Sequence, residues 1–224
     1  MLKLQKHLNW TKKSIFFELE YWAKLKIRHN LDVMHIEKNV CESLVGTILG
    51  IDGKSKDTYK ARRGLEEMGI RRHLWLEKKG DKFIKKHPFF TMKPGPKKEF
   101  LKFLTSVQFP DGYAANISRN VKIAQGKILG LKSHDCHVFL QRLILVGIRK
   151  FLPKNVVESI MMLSKFFQQL RAKSLRVSDV EALKEEIKYI LCKFEQIFPP
   201  AFFDIMVHLL IHLPAEAILA GPVS

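Results

Sequence analysis

The chain has 224 residues, with 39 Lys+Arg against 22 Asp+Glu and a formal net charge of +17. Hydrophobic residues make up 46% of it and charged residues 27%, which excludes a core-poor disordered chain; three cysteines, Cys41, Cys136 and Cys192, are too few for a small disulfide scaffold. So large a positive balance predisposes a protein to polyanions, nucleic acid above all.

Residues 1–29 are basic and aromatic, with FFELEYW at 16–22. They accommodate a short helix or strand before Asn30, and short strands are expected near 25–34. His35, Val40, Leu44, Val45 and Ile48 recur at helical spacing, so a helix is expected from His35 with Gly50 closing it. Asp52-Gly53-Lys54 is a turn, and a second helix over 57–69 ends at Gly69. Strand content otherwise fits only around 72–92. Lys93-Pro94-Gly95-Pro96 breaks the chain, and a helix over 97–106 follows. After the turn at Pro110-Asp111-Gly112, HDCHVFLQRLILVGIRK predicts one long apolar helix over 134–150. Pro153 opens the next, with Val156, Ile160, Leu163, Phe167 and Leu170 on a broad face. Ser178-Asp179 caps a helix over 179–194; Pro199-Pro200 stops it, and a last helix covers 201–219. The whole reads as mainly α.

The charge is uneven. Residues 1–100 hold 23 basic and 12 acidic residues, and the stretch 54–98 alone holds 15 and 5. Lys60, Arg62, Arg63, Arg71, Arg72, Lys78, Lys79, Lys85 and Lys86 fall in that stretch, interleaved with Trp75, Phe83, Phe89 and Phe90. Nucleic-acid surfaces combine cations with stacking rings in this way, so these nine are the candidate DNA contacts. A solvated basic face over core aromatics has the same composition.

Three constellations could carry chemistry. Asp32-x-x-His35 can share one metal or phosphate site, or the carboxylate can orient the imidazole; a structural hydrogen bond has the same spacing. His134, Cys136 and His137 are zinc-type ligands crowded at a helix start, where Ser133 or Asp135 would otherwise simply cap. Asp204, His208, His212 and Glu216 are spaced by four and line one face of an apolar helix, unless Pro214 breaks it. There is no phosphate-loop, dinucleotide or nucleophile-elbow motif. No secretory signal is visible at the start, and no apolar window offers about 20 uninterrupted residues for a membrane span. The nucleus is the expected location, and Asn116-Ile117-Ser118 is expected to stay unglycosylated.

The segment HNLDVMHIEKNVCESLVGTILGIDGKSKDTYKARRGLEEMGIR resembles the transposases of plant CACTA-type (En/Spm) DNA transposons. So do FFTMKPGPKKEFLKFLTSVQFPDGYAANISRNV, LKSHDCHVFLQRLILVGIRKFLP and FEQIFPPAFFDIMVHLLIHLPAEAILAGPV. The last is similar to the start of the uncharacterised helical domain that follows the transposase core. The resemblance runs from about Ser14 to Val223. It implies a ribonuclease-H-like core with a helical insertion, in which paired Mg²⁺ ions between acidic residues drive DNA strand transfer. Asp32 and His35 match the family's Asp-x-x-His signature, in a supporting role. Glu216 is the candidate for the last catalytic acid, with Glu195 behind it.

The family's first two catalytic acids belong to a region upstream of these residues. The expectation is therefore a transposon-derived remnant that binds DNA and is inactive alone, with 1–92 as the later part of the core and 93–224 as the helical domain. The expected fold is mainly α: a helical insertion and a partial ribonuclease-H-like core, with at most a few short strands near the N-terminus. DNA is the expected partner, with self-association or the full-length transposase as further possibilities and no membrane. A non-catalytic helical interaction domain and a zinc-stabilised helical domain are the alternatives.

Overall fold

The computed structural model describes residues 14–27, 30–110, 112–114 and 116–221. Asp111 of the expected turn, the leading residues 1–13 and the closing residues 222–224 lie outside them. The chain divides at Asn30–Leu31 into two units.

In the first unit, two 3₁₀ turns, Ile15–Glu18 and Trp22–Lys24, take the place of the expected helix or strand. Phe16 stacks on Trp22 at 4.7 Å between ring centroids. Neither turn buries a residue.

The second unit is helical, as the periodicity predicts. Helix α1 (Val33–Ile48) starts at Asp32, whose carboxylate accepts the His35 amide at 3.0 Å. This cap replaces the strand expected near 25–34, because the backbone is already committed to helix at Val33. Gly50 then turns the chain out of α1 at φ +56, as only a residue without a Cβ does cheaply. Helix α2 (Tyr59–Glu67) is capped by Thr58 and followed by the tight hairpin of β1 (Glu77–Lys79) and β2 (Lys82–Ile84). Helix α3 (Pro94–Ser106) takes Pro94 in its first turn, where a missing N–H is harmless.

A second hairpin, β3 (Val121–Lys122) with β4 (Lys127–Ile128), corrects the expectation that everything after 97 is helical. Gly126 at φ +62 makes its turn. The two described sheets have two antiparallel strands each, so no ribonuclease-H-like sheet is assembled from the described residues.

The expected helix over 134–150 appears as α4 (Ser133–Val138), a π-helical stretch Phe139–Leu143 and α5 (Ile144–Gly147), in direct succession. A Cβ on Gly147 would lie 2.4 Å from the Phe100 ring, so the glycine lets α5 press against α3. Helix α6 (Lys154–Leu170) follows Pro153 as predicted. Helix α7 (Val177–Ile197) starts earlier than its expected cap: Ser178 and Asp179 sit inside its first turn, where the acidic side chain suits the helix dipole.

The last predicted helix is broken. A 3₁₀ turn at Pro200–Phe202 gives way to α8 (Ile205–Leu209), capped by Asp204, and then to α9 (Leu213–Ala220), with Pro214 in its first turn.

One continuous core joins these elements, with α1 against α4 and α8, α6 against α7, and α7 against α9. Val40, Leu44, Ile48, Phe100, Phe139, Ile160 and Phe167 are fully buried in it. Each such side chain contributes about 1.5–3 kcal/mol relative to exposure. Phe90, Phe194, Phe198 and Phe202 interlock at centroid distances of 4.5–5.8 Å and fasten the 88–92 segment to the end of α7.

Candidate nucleic-acid interface

The basic stretch is built around a charge that does not reach the surface. Arg62 on α2 is completely buried, and its guanidinium forks onto Asp57, with Nη2 to Oδ2 at 2.9 Å. It also donates to the carbonyls of Leu74 and Lys86. Lys85 closes over the same acid, donating to the Asp57 carbonyl at 2.6 Å. Arg62 is therefore no DNA contact, contrary to the sequence reading: a completely buried guanidinium that is already paired does not reach a phosphate.

Arg71 is also committed. It sits in the left-handed region at φ 51, and its guanidinium donates to the Phe198 carbonyl. Burial lowers its pKa from the ordinary arginine range, while the negative charge of Glu195 works the other way. Lys86 is exposed but paired with Glu77.

The remaining candidates, Lys60, Arg63, Arg72, Lys78 and Lys79, are exposed. Lys78 and Lys79 lie on the β1–β2 ribbon, in which no residue is buried, and Arg63 reaches its Phe83. Lys78 faces Phe83 across the strands, and Lys79 faces Lys82. Two like charges directly opposite one another repel, and an anion laid along the ribbon relieves that repulsion. Arg63 lies over the exposed Phe83 ring at 5.5 Å and Arg72 over Trp75 at 5.8 Å, so two guanidinium–ring pairs flank the lysines. The indole N–H of Trp75 donates to the Ile70 carbonyl at 2.8 Å, which fixes that ring.

The catalytic candidates meet at the start of α1. Glu216 on α9 accepts the Leu31 amide at 2.8 Å, one residue before Asp32. Asp32 and His35 are exposed. Each carboxylate already satisfies a backbone N–H, Asp32 that of His35 and Glu216 that of Leu31. The Asp204–Glu216 line is divided by the break between α8 and α9. Asp204 caps α8 and pairs with Lys56 at 2.8 Å, and His208 and His212 approach each other at 3.3 Å between Nε2 atoms. Glu195 stays exposed on α7.

The zinc candidates take separate partners, although the His134 and His137 rings lie 6.1 Å apart. Cys136 is fully buried beside Cys41. His134 lies 3.4 Å from the Tyr113 carbonyl, and His137 faces Glu37. Asp135 caps the helix, accepting the Lys132 amide at 2.9 Å. Among the described residues no group of three or more His, Cys, Asp or Glu side chains is placed to hold a metal ion.

The sequence reading missed Glu37. Its carboxylate is 1% exposed and accepts from Gln141 Nε2 at 2.8 Å and Arg171 Nη1 at 3.2 Å. His137 Nδ1 lies within hydrogen-bond distance of the same three side chains. This network ties α1 to α4, the π-helical stretch and the end of α6. The available signal was Glu37 standing between Val33, Ile36, Val40 and Cys41 on the buried face of α1: a charge on a core stripe requires partners.

A family described as a domain of unknown function, DUF4218, matches residues 170–224, from the end of α6 through α9. That domain is found in plant transposase-like proteins. The curated proteins yield no match, and the solved structures yield none either. No helix among the described residues is long and apolar enough to cross a membrane.

Proposed function

We propose that this is a DNA-binding protein derived from a CACTA-type transposase, acting in the nucleus and binding duplex DNA through the β1–β2 ribbon and its flanking arginines. The observation that carries the reading is the opposition of Lys79 and Lys82 on a fully exposed ribbon, beside Lys78, Arg63 and Arg72. A two-stranded ribbon fits the major groove, and lysines and arginines along it neutralise phosphates. The C-terminal match to DUF4218 and the resemblance of residues 29–71 to the transposase core support the transposon origin.

On this reading the chain binds DNA without performing strand transfer. Asp32 and Glu216 order the start of α1, each holding a backbone amide. The test is duplex binding measured against salt. A steep linear fall of log affinity with log salt supports phosphate contact by several cations. Absence of binding at low salt favours instead a helical scaffold whose charge serves only solubility.

A further inference from the structure

Outside the ribbon, a cleft of about 540 Å³ opens between the end of α1, the 85–92 segment, the start of α3 and the β3–β4 turn. Four lysines line it, Lys85, Lys86, Lys97 and Lys98, against one carboxylate, Asp57. Asp57 is already held by Arg62 and Lys85, and Lys86 pairs with Glu77. Lys97 and Lys98 have no ion-pair partner among the described residues.

Lys97 is the informative one. Burial lowers its pKa from the ordinary lysine range; the negative charge of Asp52 opposes that, and the like charge of Lys127 adds to it. A cation that has lost water, stands near a second cation and lacks a paired carboxylate presents an anion site. The helix end adds little. Pro94 and Pro96 have no N–H, so Gly95 alone offers an amide among the first three residues of α3. Recognition therefore falls to the lysine side chains.

Part of the remaining lining is apolar, with Leu49, Pro88, Met92, Leu101 and Ile123. A bare phosphate would leave that surface unused. A cleft of this volume and mixed lining suits a small organic ligand with one charged end.

We propose that this cleft is a nucleotide pocket, in which Lys97 and Lys98 hold the phosphate and the apolar lining takes sugar and base. The nucleotide is either free or the terminal unit of a DNA strand, the phosphate chemistry being the same. The pocket is separate from the ribbon, so a chain that fails to bind duplex DNA can still bind a nucleotide here, and the two proposals fail independently.

The full chain is titrated with three probes: ATP, a 5′-phosphorylated single-stranded octamer and its 5′-hydroxyl twin. For a strand end, the phosphorylated octamer binds at least about tenfold tighter than its twin, as a charge-assisted contact to two lysines warrants. For a free nucleotide, ATP binds saturably and the octamers bind alike. Lys97→Met keeps the apolar stem and removes the charge. Lys98→Met does so on an exposed side chain, where the fold is indifferent. Each variant must reduce whichever signal the wild type gives by about tenfold, while Lys184→Ala, exposed on α7, leaves it unchanged. Neither signal in the wild type, or a signal that persists in either lysine variant, overturns the pocket.

Discussion

Arg62 and Asp57 form a two-pronged ion pair with both side chains shut off from solvent, at 0% and 2% exposure. The guanidinium reaches the Leu74 and Lys86 carbonyls as well, so it ties α2 to the turn after it and to the segment beyond the ribbon. Removing one partner of such a pair strands a buried charge, at a cost of about 3–5 kcal/mol. Arg62→Ala and Asp57→Ala are both expected to destabilise by that order in urea denaturation. Arg63→Ala, one position on and exposed, is expected within about 0.5 kcal/mol of wild type. If Arg62→Ala is no worse than Arg63→Ala, the pair does not organise the basic stretch.

Charge on the ribbon acts differently. Each phosphate contact contributes about 0.9 to the slope of log affinity against log salt. Lys78→Ala, Lys79→Ala and Lys82→Ala are each expected to weaken duplex binding about equally for all sequences and to lower that slope by about one. Thermal melts are expected to shift little, since none of the three is buried. Lys79→Ala also removes its repulsion with Lys82, so unchanged stability with unchanged DNA affinity rules out the ribbon as the interface.

The buried network of Glu37, Arg171 and Gln141 sets up a cycle of variants. Arg171 has a buried Nε with no partner, so its charge rests on Nη1 contacts to Glu37 and His137. Glu37→Leu and Arg171→Met singly are each expected to cost about 3–5 kcal/mol, while the double variant costs less than either because no lone charge remains. Chemical denaturation of the four proteins measures it. Additive losses contradict a coupled pair.

Legibility in the sequence followed the range of the interaction. Helix α1 was readable because Val40, Leu44 and Ile48 report a local period, and Pro153 and Gly69 mark ends that need only their own backbone geometry. The buried state of Arg62 was not: its partners Leu74 and Lys86 lie 12 and 24 positions away, and a count of charges treats it like Arg63. The contact of Glu216 with Leu31 spans 185 positions and rests on the break that Pro214 marks in the last helix. The β3–β4 hairpin escaped because each strand has two residues, too short for an alternation to register.

Asp32 separates capping from chemistry. Its carboxylate accepts the His35 amide, the usual geometry of a helix N-cap. Asp32→Ala is expected to lose about 1 kcal/mol of stability and Asp32→Asn much less, because an amide oxygen also caps. In a cleavage assay on transposon-end DNA with Mg²⁺, wild type and Asp32→Ala are expected to behave alike. Asp32-dependent cleavage would show that the residue does more than start α1.

Alkaline pH probes the contact between α1 and α4. The hydrogen bond with Cys136 and burial both push the Cys41 thiol well above its ordinary value, with the nearby charges of Glu37 and Glu42 adding to the rise. In the unfolded chain that thiol ionises near about 8.5, whereas in the folded chain it keeps its proton to higher pH. Below the unfolded value both states hold the proton and the stabilisation is complete. Above it the unfolded state binds fewer protons, so stability falls as pH rises, by up to about 1.36 kcal/mol per unit for one thiol, until the folded value is reached. Lys97 has the opposite sign: its lowered folded pKa relieves a burial cost as pH rises. The measurement is therefore a difference, wild type minus Cys41→Ala, in urea stability from pH 7 to 10. Cys41→Ala starts lower because it leaves a small cavity in the core. Its disadvantage is expected to shrink steadily above pH 8.5, and a constant gap would place the alkaline sensitivity in other groups.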